Sequence, residues 1–178
     1  VTYDVLDDGF GQGALYTVVN QAENLPTMYQ KFYVYKDMPY ALVQVELGSD
    51  NEISTNFMAP ISTSGENVVD IGTKTDARAL FVPFSNDGYT AYNPETLNGA
   101  HTSYFVTAIF DNNSRNSVIA GSVDHDTWKT GTSTWATADN GNINFFGAFA
   151  GINSKEFTYD FQPHGSIKGT KVSSPKMF

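Results

Sequence analysis

The stretch "MYQKFYVYKDMPYALVQVEL", residues 28 to 47, constrains the fold more than any other part of the chain. Met28, Phe32 and Val34 alternate with Tyr29, Tyr33 and Tyr35. Beyond a turn at Lys36-Asp37-Met38-Pro39, the residues Ala41, Val43, Val45 and Leu47 alternate with Gln44 and Glu46. A period of two is the period of a strand, whereas a helix would bring its apolar residues back every three or four positions. The stretch therefore predicts a β-hairpin with one buried face, carrying Phe32, Val34, Val43 and Val45. An apolar sheet face needs a second layer to cover it.

The same grammar recurs along the chain. "SYFVTAIFDNNSRNSVIAGSV" predicts a second hairpin, with the polar DNNSRN loop between two runs apolar enough to occupy central positions in a sheet. "GALYTVVN", "NVVDI", "RALFVPF", "NINFFGAF" and "EFTYDF" add further strands, about ten or more in all, separated by Gly, Asn, Asp and Pro. Neither sustained helical periodicity nor an internal repeat is visible, which argues against a propeller or solenoid. The fold class expected is all-β, a twisted antiparallel β-sandwich forming a single domain over residues 1–178. Its core would be completed by Phe81, Phe105, Ile109, Phe146 and Phe149.

Composition excludes several partners. With 10 Lys and Arg against 19 Asp and Glu, the formal charge is −9. No basic surface is left for nucleic acid or for an anionic membrane. The absence of cysteine removes disulfides and thiolate chemistry, while leaving the compartment open, secreted or periplasmic included. No run reaches the length needed to span a bilayer as a helix.

Motifs with specific chemistry are few. The three histidines, His101, His125 and His164, are far apart and form no H-E-x-x-H pattern, so no metal is expected. "DDGFGQGALYTV" places its glycines before a strand, whereas a dinucleotide fingerprint needs a strand before and a helix after, so no cofactor is expected either. No G-x-S-x-G elbow is present. The most suggestive segment is "GSVDHDTWKTG", residues 121 to 131, which sets Trp128 among Asp124, Asp126 and Lys129. Sugars stack an apolar C–H face on aromatic rings and offer hydroxyls to polar neighbours, so Trp128 reads equally as a ligand contact or as core filler. Trp135 reads as filler.

Five phrases, "FYVYKDMPYALVQVEL", "ISTNFMAPI", "ALFVPFSNDGYTAYN", "GSVDHDTWKTG" and "PHGSIKGTKVSSPKMF", in this order, resemble the N-terminal region of bacterial glycoside hydrolases of the α-galactosidase type, related to family thirty-six. The likeness runs from about Met28 to Phe178, and Val1 to Thr27 lie outside it. It implies a galactose mutarotase-like β-supersandwich preceding a catalytic (β/α)₈ barrel on the same polypeptide, with carbohydrate as the other partner. The catalytic carboxylates of such enzymes lie in the barrel, so no catalytic residue is expected in this chain. The sandwich of that family can lend a loop to the sugar pocket, which here would be the turn at Asn86 and Asp87. Together with Asp126, Trp128 and Lys129, that turn forms the expected carbohydrate or domain-interface patch. A free-standing carbohydrate-binding module and a purely structural surface domain are the competing readings. The final Lys176-Met177-Phe178 reads as though the chain continued.

Overall fold

A computed structural model of the chain describes residues 1–83, 92, 94–123, 128–138, 141–151 and 167–178. They form three antiparallel sheets and no helix. The first sheet has the order β1 (Thr2–Asp8), β2 (Gly11–Asn20), β3 (Thr27–Tyr35), β4 (Ala41–Thr55) and β13 (Ile167–Ser173). The second has the order β5 (Phe57–Ser64), β12 (Ile143–Gly151), β11 (Thr130–Ala136) and β8 (Gly99–Tyr104). The third has the order β10 (Ser117–Gly121), β9 (Val106–Asp111), β6 (Ala77–Leu80) and β7 (Glu95–Thr96).

The second sheet has the other two packed against its inner face. Toward the third sheet, Ala136, Ile143 and Phe146 meet Ala79, Ile109 and Ala120. Toward the first, Met58, Ala150 and Trp128 meet Val45 and Val172. The first and third sheets are stitched together by Met177, fully buried, which makes one antiparallel bridge to Val43 and another to Ser122. The result is an antiparallel sandwich, as the alternation implied.

Both expected hairpins form. In the first, Phe32 faces Val43 and Val34 faces Ala41 across β3 and β4. Its burial is not confined to one face, however. Val43 and Val45 are buried, while Val34, on the same face, is 44% exposed. The covering sheet extends over β4 and β13 and stops short of β1, β2 and part of β3. On the opposite face Tyr33, Tyr35 and Leu42 are buried in a cluster of their own, with Leu6, Leu15, Tyr40 and Phe178 packed around it. Of the other expected core residues, Ile109, Phe146 and Phe149 are buried, whereas Phe32, Phe81 and Phe105 are half-buried.

The second hairpin differs from expectation in two ways. Its "SYFVTAIF" run is broken at Phe105, whose positive φ of 68° turns the chain from β8 in one sheet to β9 in another. A non-glycine residue holds that conformation only where its surroundings impose it. Here the Phe105 amide donates to the Thr130 carbonyl and the Ser122 amide donates to the Phe105 carbonyl. Its partner strand β10 is an edge strand, with Ile119 exposed. The loop between β9 and β10 is held by Asp111, a fully buried carboxylate. It accepts from the amides of Thr75 at 2.7 Å, Asp76 at 2.6 Å, Asn113 at 3.1 Å and Ser114 at 2.7 Å. "NVVDI" is not a strand. Asp70 caps the Gly72 amide and Asn67 has φ 51°, so turn chemistry prevails there, although Ile71 still enters the core.

Candidate functional site

Two of the five expected site residues fall within the described part of the chain. Asn86, Asp87 and Asp126 lie outside the described residues, as do His125, His164 and the "EFTYDF" run. Trp128 is 6% exposed and packs with Val45, Met58, Ala150 and Val172. Its indole N–H donates to the Ser173 carbonyl at 3.2 Å. The ring therefore fills the joint between two sheets and offers no face to a ligand. Lys129 places its ammonium 4.1 Å from the centre of the Phe105 ring and 5.1 Å from that of Tyr104. Burial lowers its pKa from the ordinary lysine value. Consecutive residues entering a strand point to opposite sides, so Trp128 and Lys129 do not share one patch.

The feature that stands out instead is the uncovered part of the first sheet. On the face that carries Val43 and Val45 toward the core, the register runs on through Ala14 and Val5 beside Val34, and through Tyr16 and Tyr3 beside Phe32. Tyr3 is 60% exposed and Val5 81% exposed, and Tyr16, Met28 and Val34 are also open to solvent. The rings of Tyr3 and Tyr16 pack against each other with centroids 5.4 Å apart. At one end a trough of about 500 Å³ runs over Ala14 between Tyr3, Val5 and Val34. At the other, an apolar hollow of about 310 Å³ lies among Ala22, Leu25, Pro26, Met28 and Leu47.

The surroundings of this ledge are polar only at the margin. Gln12 donates to Asp7 at 3.1 Å, and on the opposite face of the sheet the Tyr35 hydroxyl donates to Asp8 at 3.1 Å. Burial first, and then that bond to a carboxylate, raise the Tyr35 pKa above the ordinary phenol value. The step bordering the ledge is β5, the outer strand of the second sheet. There Pro60 has no N–H to offer and its carbonyl already accepts from the Gln30 side-chain Nε2 at 2.8 Å. A strand edge closed in this way resists addition of another strand, so the ledge is suited to face-on packing.

Among the described residues no three His, Asp or Glu side chains converge as metal ligands. Trp135, which reads as filler in the sequence, stands 45% exposed on the outer face of the second sheet. The signal for it was the phase of β11. Thr130, Thr132, Thr134 and Ala136 share the buried side, leaving Trp135 on the other. Comparisons with known protein families, curated proteins and solved structures find no match to the chain.

Proposed function

We propose that this chain is a non-catalytic accessory domain of a glycoside hydrolase of the α-galactosidase type, seated through its ledge on a catalytic barrel of the same polypeptide. The single observation that carries the docking is the ledge. Tyr3, Val5, Tyr16, Met28 and Val34 present apolar surface on the order of 500 Å², at the upper end of what monomers leave uncovered. Covering it would supply the apolar centre of an interface of inter-domain size. The hydrolase assignment rests on the five sequence phrases that resemble that family. In this reading the first and third sheets, lying side by side against the second, are the halves of one supersandwich layer. The chain is non-catalytic in this reading because a (β/α)₈ barrel takes about 250 residues by itself.

Covalent footprinting tests the proposal. Labelling of Tyr3, Val5, Tyr16 and Val34 is compared between the 178-residue chain and the complete polypeptide encoded by its gene. The expected result is strong labelling in the short chain and protection in the long one. Equal labelling in both, or a gene that encodes no further domain, overturns the proposal.

A further inference from the structure

We infer that the outer face of the second sheet is a binding platform for neutral sugar rings, centred on Trp135. The register lays this face out in rows across four strands. One row runs Ala100, Trp135, Phe145, Ser64. The next runs Thr102, Ser133, Gly147, Ser62, and beyond it Tyr104 and Phe149 flank Gly131. An aromatic row is thus followed by a row of three hydroxyls, with Thr102 and Ser133 hydroxyls 3.4 Å apart.

The glycines explain how the rings lie. A Cβ on Gly147 would stand 3.2 Å from the tip of the Phe145 ring, and one on Gly131 would stand 2.6 Å from the tip of Phe149. Both rings therefore lean along the sheet over bare backbone, and the face stays low between them. Trp135 directly opposes Phe145, at cross-strand contact distance. Successive rows on one face are two residues apart, about 7 Å. A ring stacked on Trp135 accordingly carries its hydroxyl edge over Thr102 and Ser133.

The first two rows contain no ionisable side chain. That selects an uncharged ligand with an apolar face and a hydroxylated rim, which is the chemistry of a neutral pyranose. Among the described residues of these two rows, a nucleic acid, a metal ion or an acidic peptide would find no side chain to neutralise its charge. The platform is built from β5, β8, β11 and β12 alone and does not depend on what covers the ledge.

The test titrates the 178-residue chain separately with cellohexaose and with stachyose, whose outer sugars are β-glucosyl and α-galactosyl. Calorimetry gives the affinity and tryptophan fluorescence reports the site. The expected result is binding of at least one of them at millimolar concentration or below. Trp135→Ala should weaken it about tenfold or more, as loss of a central aromatic contact does. A Thr102→Ala and Ser133→Ala double variant should weaken it a few-fold, with the unfolding curves of both variants unchanged. Failure of both sugars to bind, or binding undiminished in Trp135→Ala, overturns the inference.

Discussion

Replacing Trp128 by alanine should cost the 178-residue chain about 3–5 kcal/mol, the range for truncating a well-packed core aromatic. The figure follows from the ring's surroundings. A buried indole removes roughly 200 Å² from water, worth ~5 kcal/mol at about 25 cal/mol per Å². Alanine retains part of that, while the space among Val45, Met58, Ala150 and Val172 closes only partly. The Ser173 carbonyl also loses its indole donor, a loss of about 1 kcal/mol. Domains of this kind hold about 5–15 kcal/mol in total, so the change is large enough to read from urea unfolding followed by far-ultraviolet circular dichroism. Trp128→Phe, which keeps most of the volume, should fall between wild type and alanine and provides the measurement if the alanine variant does not fold. Trp135→Ala, at an exposed position, should stay within about 0.5 kcal/mol of wild type. A Trp128→Ala chain less than about 1 kcal/mol below wild type would refute the assignment of that ring to the joint between the sheets.

Gly131→Ala should destabilise by about 1–3 kcal/mol in the same assay, because the new methyl meets the Ser103 carbonyl at 2.7 Å as well as the Phe149 ring. A neutral result would show that the sheet yields there. Asp111 has its pKa held well below the ordinary aspartate value, chiefly by the Ser114 and Asp76 amides. A carboxyl lowered in the folded state contributes stability above its unfolded pKa and loses it as pH falls through the folded value. Asp111→Asn should therefore lower the melting temperature at neutral pH and flatten its decline below about pH 4; an unchanged acid limb would count against the assignment. Thr132 buries a hydroxyl that has no hydrogen-bond partner. Thr132→Val should stabilise by up to about 1 kcal/mol, and a loss of that size would mean the hydroxyl is satisfied.

The strands were legible where one phase of the alternation was plainly apolar, as in the β3 and β4 hairpin. Val34 shows where that reading ends. It lies on the predicted face, opposite Ala41 and on the same side of the sheet as Val43 and Val45, yet is exposed because the second sheet does not reach it. How far a covering layer extends is a tertiary property that period two cannot express. The two tryptophans failed to resolve for a related reason. In β12 both phases are apolar, Phe146, Ala148 and Ala150 facing inward and Phe145 and Phe149 outward, so the partner strand gave no clue to the inner side. In β11 only the small Thr130, Thr132, Thr134 and Ala136 set marked the core, and a run of threonines is an unusual core signature. β1 and β13 escaped notice because Asp4, Asp7 and Asp8 in the first, and Lys168, Gly169 and Lys171 in the second, dilute the strand pattern.

The stitch made by Met177 sets a schedule for the chain during its synthesis. Val43 donates to the Met177 carbonyl at 2.6 Å, and Gln44 reaches the Ser174 carbonyl 130 residues further along. Until residues 167–177 leave the ribosome, β4 has neither β13 on its flank nor Met177 beside Val43, so an apolar strand stands with an open edge while the intervening residues are made. Contacts so distant in sequence also make for slow closure once the segment arrives. The interval in which this protein is most prone to pair with a neighbour thus belongs to the growing chain, and a chaperone that masks β4 would act before residue 174 appears.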